Sequence, residues 1–171
     1  MSCRRETGFT LVELMIAIAV LAILLAIGLP GFQGVLRSNR VATATNSMLG
    51  SLSLARSEAI KNAHGAAVCA SNAGSACDGA TWGAGWLVWN DVNGDQLLDA
   101  NETVIQYTEG KPKLRGDAAA LTVAFDPRGR RRATVDQSIV LRPDECGSDP
   151  LQRTLRVMPT GQVKITKDVC L

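Results

Sequence analysis

The strongest pattern in the chain is an apolar run near its N-terminus. From Phe9 to Leu29 only Thr10 and Glu13 interrupt it, and the next charged residue is Arg37. About 20 such residues are what a helix needs to cross a bilayer. A second helical pattern follows. Val41, Thr45, Met48, Leu52, Ala55 and Ala59 recur in alternating steps of three and four, a single apolar stripe with Arg37, Arg40, Arg56 and Lys61 mostly off it. Gly28, Pro30, Gly31 and Gly34 between the two patterns are expected to interrupt or bend the helix. From Ala66 onward the period shortens to strand-like runs: 66–70, 85–89, 103–107, 120–125, 138–141, 155–158 and 163–166, separated by turn-forming residues. His64 falls in the turn after the helix.

The apolar run has three ordinary explanations. A secretory signal peptide has a basic head, here Arg4 and Arg5, and small residues after its core, which Ala26-Ile27-Gly28 imitates. A plain membrane anchor accounts for the length, and a buried helix of a soluble protein for the composition. None accounts for Glu13, whose carboxylate costs at least about 2.5 kcal/mol at membrane depth unless a partner satisfies it.

Gly8-Phe9-Thr10-Leu11-Val12-Glu13 resembles the processing site of type IV prepilins and of the pseudopilins of type II secretion. The resemblance implies that a prepilin peptidase cuts between Gly8 and Phe9 and methylates Phe9. It also implies that Glu13 pairs with the N-terminal amine of a neighbouring subunit during assembly. Pro30 falls where pilin helices carry a kinking proline. The implied organisation is a leader, residues 1–8; a transmembrane and assembly helix, 9–30; an amphipathic helix, 31–62; and a periplasmic β-rich domain, 63–171. The implied fold is α+β and type IV pilin-like, one long N-terminal helix packed on antiparallel β-sheets.

Composition agrees. The formal net charge is +2, and loss of Arg4, Arg5 and Glu6 with the leader leaves +1, so any polyanion binding must be local. Arg4 and Arg5 before the apolar run favour a cytoplasmic head and an exported domain. With Cys3 in the leader, Cys69, Cys77, Cys146 and Cys170 remain, and four cysteines allow three pairings. In an oxidising periplasm Cys69–Cys77 and Cys146–Cys170 are the expected bridges; zinc is the competing use, without a CxxC and with His64 as the one histidine.

A narrower resemblance lies in Ala55-Arg56-Ser57-Glu58-Ala59-Ile60-Lys61 and in Trp82 to Val88, which look like signatures of FimT-like and GspH-like minor pilins. Arg56 and Glu58 there read as capping and docking residues. Two constellations remain. Asp91, Asn93, Asp95, Asp99 and Glu102 occupy positions 1, 3, 5, 9 and 12 of a calcium-loop pattern, although Gln96 stands where that loop needs glycine. A hairpin rich in Asx and glycine explains the same letters, so calcium is the minority reading and no cofactor is expected. Arg128, Arg130, Arg131 and Arg132 form a basic cluster able to meet nucleic-acid phosphates, the alternative being a solvated turn. Some FimT-like pilins take up DNA through a C-terminal Gly-Arg-x-Arg motif. The matching stretch here is Gly161-Gln162-Val163-Lys164, which leaves Lys164 beside Arg153, Arg156 and Lys167 as candidate contacts.

No nucleophile–base arrangement and no phosphate-cradling glycine loop is visible, so an enzyme is not expected. The expected function is that of a minor type IV pilin, priming or capping a pilus and contributing to DNA uptake. A GspH-like pseudopilin is the alternative. The expected partners are other pilins or pseudopilins, prepilin peptidase, the inner membrane and DNA.

Overall fold

A computed structural model describes residues 9–147 and 149–170. Among the described residues one α-helix, α1 (Leu11–Asn62), is followed by eight strands, with a short 3-10 helix, Trp82–Ala84, before the second of them. They are β1 (Ala66–Ala70), β2 (Gly85–Trp89), β3 (Val104–Glu109), β4 (Leu114–Ala118), β5 (Thr122–Phe125), β6 (Gln137–Pro143), β7 (Gln152–Val157) and β8 (Val163–Asp168). The glycines and proline at positions 28 to 34 do not end α1. A proline withholds one amide from the i→i−4 ladder, and the neighbouring hydrogen bonds suffice to carry the helix past it.

The chain divides into two compact units after Leu36. In the first, α1 has an apolar stretch from Leu11 to Gly28 with a mean hydropathy of 2.8, long enough to cross a membrane, and none of it is buried. In the second, Arg37–Leu171, the strands form two antiparallel sheets ordered β3-β2-β1-β5 and β4-β6-β7-β8. Val41, Ala44, Met48, Leu52, Ala55 and Ala59 of α1 are fully buried and share one core with residues of both sheets, among them Val68, Trp86, Val88, Phe125, Ile139, Leu141 and Leu155. Ser51, also on the covered face of the helix, accepts a hydrogen bond from the Trp86 indole at 2.9 Å.

The first sheet is covered on its other face as well. Ala67, Cys69, Leu87, Trp89 and Ala124 make a second core, over which Leu98, Val104 and Tyr107 pack. Two loops hold that cover in place. In the β1–β2 loop, Cys69 is bonded to Cys77, and Asn72 offers its carbonyl to the Tyr107 hydroxyl at 2.8 Å. The β2–β3 loop supplies Leu98. A second disulfide, Cys146–Cys170, ties the end of the chain to the loop between β6 and β7.

β4 was not anticipated from the sequence. Its residues Leu114-Arg115-Gly116-Asp117-Ala118 alternate buried and exposed, but glycine, aspartate and alanine are poor strand formers, and buried Gly116 serves a close backbone approach. A Cβ at Gly116 would stand 2.5 Å from the Gly83 nitrogen and 2.7 Å from the Trp82 carbonyl carbon. Gly116→Ala is therefore expected to lower the unfolding free energy by about 2 kcal/mol or more. Gly50, on an exposed helix position with nothing within 4 Å, should give the reverse, a gain of roughly 0.5–1 kcal/mol on replacement by alanine. Urea titration of the two variants checks both signs.

Candidate functional site

Two features outside the core invite function: the start of α1 and the loop between β5 and β6. Gly8 lies outside the described residues. Phe9 is exposed, and Thr10 precedes the first helical turn, where its hydroxyl accepts a hydrogen bond from the Glu13 amide at 3.2 Å. That contact is half of a capping box, and Glu13 supplies a negative charge in the first turn, the favourable end of the helix dipole. Among the described residues the Glu13 carboxylate has no ion-pair partner. It sits among exposed Leu11, Val12, Leu14 and Ile16.

The topology separates the four arginines of the β5–β6 loop. Asp126 organises the turn by accepting from the Arg128 and Arg130 amides, both at 2.9 Å, and from the Arg130 guanidinium at 3.0 Å. Partial burial pushes the Asp126 carboxyl up, but these donors outweigh it and hold the group below the usual carboxylate range. Arg131 pairs with Phe125 as an isolated bridge and turns inward, 8% exposed, donating to the Val157 carbonyl at 2.9 Å. Arg132 lies 3.7 Å from the fully buried Asp91 carboxylate, and neither Asp91 Oδ2 nor Arg132 Nε has a hydrogen bond. Burial pushes the Asp91 carboxyl up, against the amides of Gln96 and Gly94 and the charge of Arg132. The run is thus not one cationic patch, which corrects the expectation for Arg131 and Arg132. Arg128 and Arg130 are the exposed members.

Strand register divides the C-terminal cations in the same way. Arg156 stands directly opposite Lys164, and Arg153 opposite Lys167, one residue out of phase and so on opposite faces of the second sheet. Arg156 also pairs with Asp136 at 3.0 Å. In the β2–β3 loop the calcium-pattern residues are occupied by the loop itself. Asn93 donates its amide to Asp95 and Asp99, and Glu102 accepts from the Val92 and Asp99 amides. Among the described residues no group of three or more His, Cys, Asp or Glu is arranged to hold a metal ion.

Residues 44–161 match the family model described as type II transport protein GspH, and residues 3–29 match the prokaryotic N-terminal methylation motif. The chain belongs to the GspH family. Two crystal structures of the type IV minor pilin FimU from Pseudomonas aeruginosa, strain PAO1, share its fold. In space group P21 the TM-score is 0.56 at 15% identity, covering 75% of this chain and 89% of that one. In space group P65 it is 0.55 at 15% identity, covering 73% and 91%. No curated protein matches significantly. The chain is thus a pilin or pseudopilin, with an N-terminal apolar helix suited to anchoring it in a membrane.

Within this family member the docking role of Arg56 has a visible basis. Its guanidinium donates to the Gly161 carbonyl at 3.2 Å and to the Thr160 carbonyl at 3.4 Å, fastening α1 to the β7–β8 turn. Glu58 accepts from Lys61 and Asn62 on its own helix. The Asp91–Arg132 contact was missed because nothing in the sequence brings position 132 to position 91; the chain pairing does.

Arg131→Ala should cost about 2 kcal/mol, because it strips the Val157 carbonyl of its donor, whereas Arg128→Ala should stay within about 0.5 kcal/mol. Asp126→Asn adds a pH signature. A carboxyl held below its ordinary value of 3.8 contributes stability above that pH and loses it as the pH falls through its lower folded value. The stability difference between the parent chain and Asp126→Asn should therefore be largest near neutrality and shrink toward about pH 2, as read from thermal melts.

Proposed function

We propose that this chain is a minor type IV pilin that primes or caps a pilus. Prepilin peptidase cuts between Gly8 and Phe9 and methylates Phe9. The apolar start of α1 then rests in the inner membrane, with the N-terminus cytoplasmic and the β-rich domain periplasmic, until the subunit joins a filament. The observation that carries the reading is the stretch Leu11–Gly28, uncovered among the described residues and carrying one carboxylate in its first turn. Such a surface needs lipid or the helices of neighbours around it, and Glu13 needs a cation. The methylated amine of a neighbouring Phe9 supplies one. The GspH family description favours a second reading, a minor pseudopilin of a type II secretion system assembled by the same helix contacts.

A contribution to DNA uptake belongs to the same proposal and rests on the exposed cations Arg128 and Lys164. Oligonucleotide affinity that falls steeply with salt, and disappears when these two are neutralised, would support it. No binding near physiological salt would leave an assembly subunit alone.

Replacing Glu13 with glutamine tests the central step. Cleavage should proceed, while the amount of the subunit in sheared filaments falls about tenfold or more, the equivalent of roughly 1.4 kcal/mol of lost pairing. Undiminished incorporation would remove the role assigned to Glu13.

A further inference from the structure

A surface depression of about 640 Å³ lies where the β5–β6 loop meets the tip of the β2–β3 loop and the β7–β8 turn; Arg130, Arg132, Ala133, Thr134, Gln96 and Pro159 line it. Its chemistry is unbalanced toward donors. Arg130, whose side chain is 56% exposed, commits only Nε and Nη2 to Asp126 and leaves Nη1 without an acceptor among the described residues. The Arg132 guanidinium makes only the long contact with Asp91 and donates no hydrogen bond among the described residues. The amides of Ala133 and Thr134 likewise take no acceptor there. The one carboxylate in the wall, Asp126, is already filled by two amides and a guanidinium.

A concave site with spare guanidinium and amide donors fits a single anionic group, and a carboxylate meets an arginine fork in bidentate fashion. The surroundings decide which anion. Asp95, Asp99 and Glu102 stand on the β2–β3 loop that borders the depression through Gln96. A nucleic-acid strand would bring its repeated charges against those carboxylates, whereas one acidic side chain can enter without meeting them. We infer that this depression receives an acidic side chain of a neighbouring subunit, a docking contact on the β-rich domain in addition to the helix. The inference rests on the reading of the chain as an assembly subunit.

The test uses the full-length protein in detergent micelles and two fluorescein-labelled probes, a C-terminally amidated Gly-Gly-Asp-Gly-Gly peptide with one acidic side chain and a hexathymidylate oligonucleotide, followed by anisotropy at low salt. The peptide should bind. Arg130→Gln should weaken it about tenfold, and so should Thr134→Asp, which places a carboxylate at the rim while keeping every arginine. Arg115→Gln, an exposed cation on β4 outside the depression, should change it less than about twofold. Thermal melts matching the parent chain establish that the variants are folded. Three results overturn the inference: no peptide binding, an equal loss in Arg115→Gln, or oligonucleotide binding with the same dependence on Arg130 and Thr134. No filament is involved, so failure here leaves the assembly reading standing, and the Glu13→Gln experiment can fail without touching this one.

Discussion

Burial of one stripe of α1 is the interaction on which the β-rich domain is built. Val41, Ala44, Met48, Leu52, Ala55 and Ala59 all lie at 0 or 1% exposure, and they are the common floor under two sheets. Apolar faces of this kind are worth roughly 2–5 kcal/mol for each large side chain removed, so no other single feature competes with them. The small residues Ala44, Ala55 and Ala59 allow close approach, while Trp82, Trp86 and Phe125 supply the bulk that fills the space. Everything else is arranged to protect this contact. Arg56 fastens the helix to the β7–β8 turn, and Arg131 caps a carbonyl at the end of β7. The two loops seal the far face of the first sheet, one of them through the Cys69–Cys77 bridge.

The same helix obeys the opposite rule in its first half, where none of the stretch Leu11–Gly28 is buried among the described residues. Water is a poor solvent for such a surface, at roughly 25 cal/mol for each Å² exposed. Lipid and neighbouring helices are the environments that satisfy it, and a subunit passing from one to the other needs a helix at home in both. In the assembly proposed above, Glu13 is the exception that would give the passage a direction. It is costly in lipid alone and satisfied when a cation is presented beside it.

Much of this was legible because it depended on local period. The α1 stripe follows from steps of three and four, and β1 and β2 occupy the spans their apolar runs indicated. What was not legible depended on pairing between distant segments. β4 alternates only through Leu114, Gly116 and Ala118, two of them too small to mark a strand, and its reason lies in the backbone of Gly116 against Trp82. The four arginines look equivalent in sequence, yet the Phe125–Arg131 bridge sends one inward and Arg132 lies half-buried, 3.7 Å from Asp91 and without a hydrogen bond to it. Likewise the calcium-like spacing of Asp91 to Glu102 says nothing of Asn93, whose amide lies between the carboxylates of Asp95 and Asp99. Charge lists cannot show which charges are already satisfied; register and burial can.

The most direct test of the account is the intact mass of the protein purified from membranes of its native host. The account predicts a chain running from Phe9 to Leu171, carrying one added methyl group at its N-terminus and two disulfides. A chain still beginning at Met1, or one cut beyond Ala26 as a secreted protein would be, would contradict it, because the apolar helix would then be unprocessed or absent from the mature subunit.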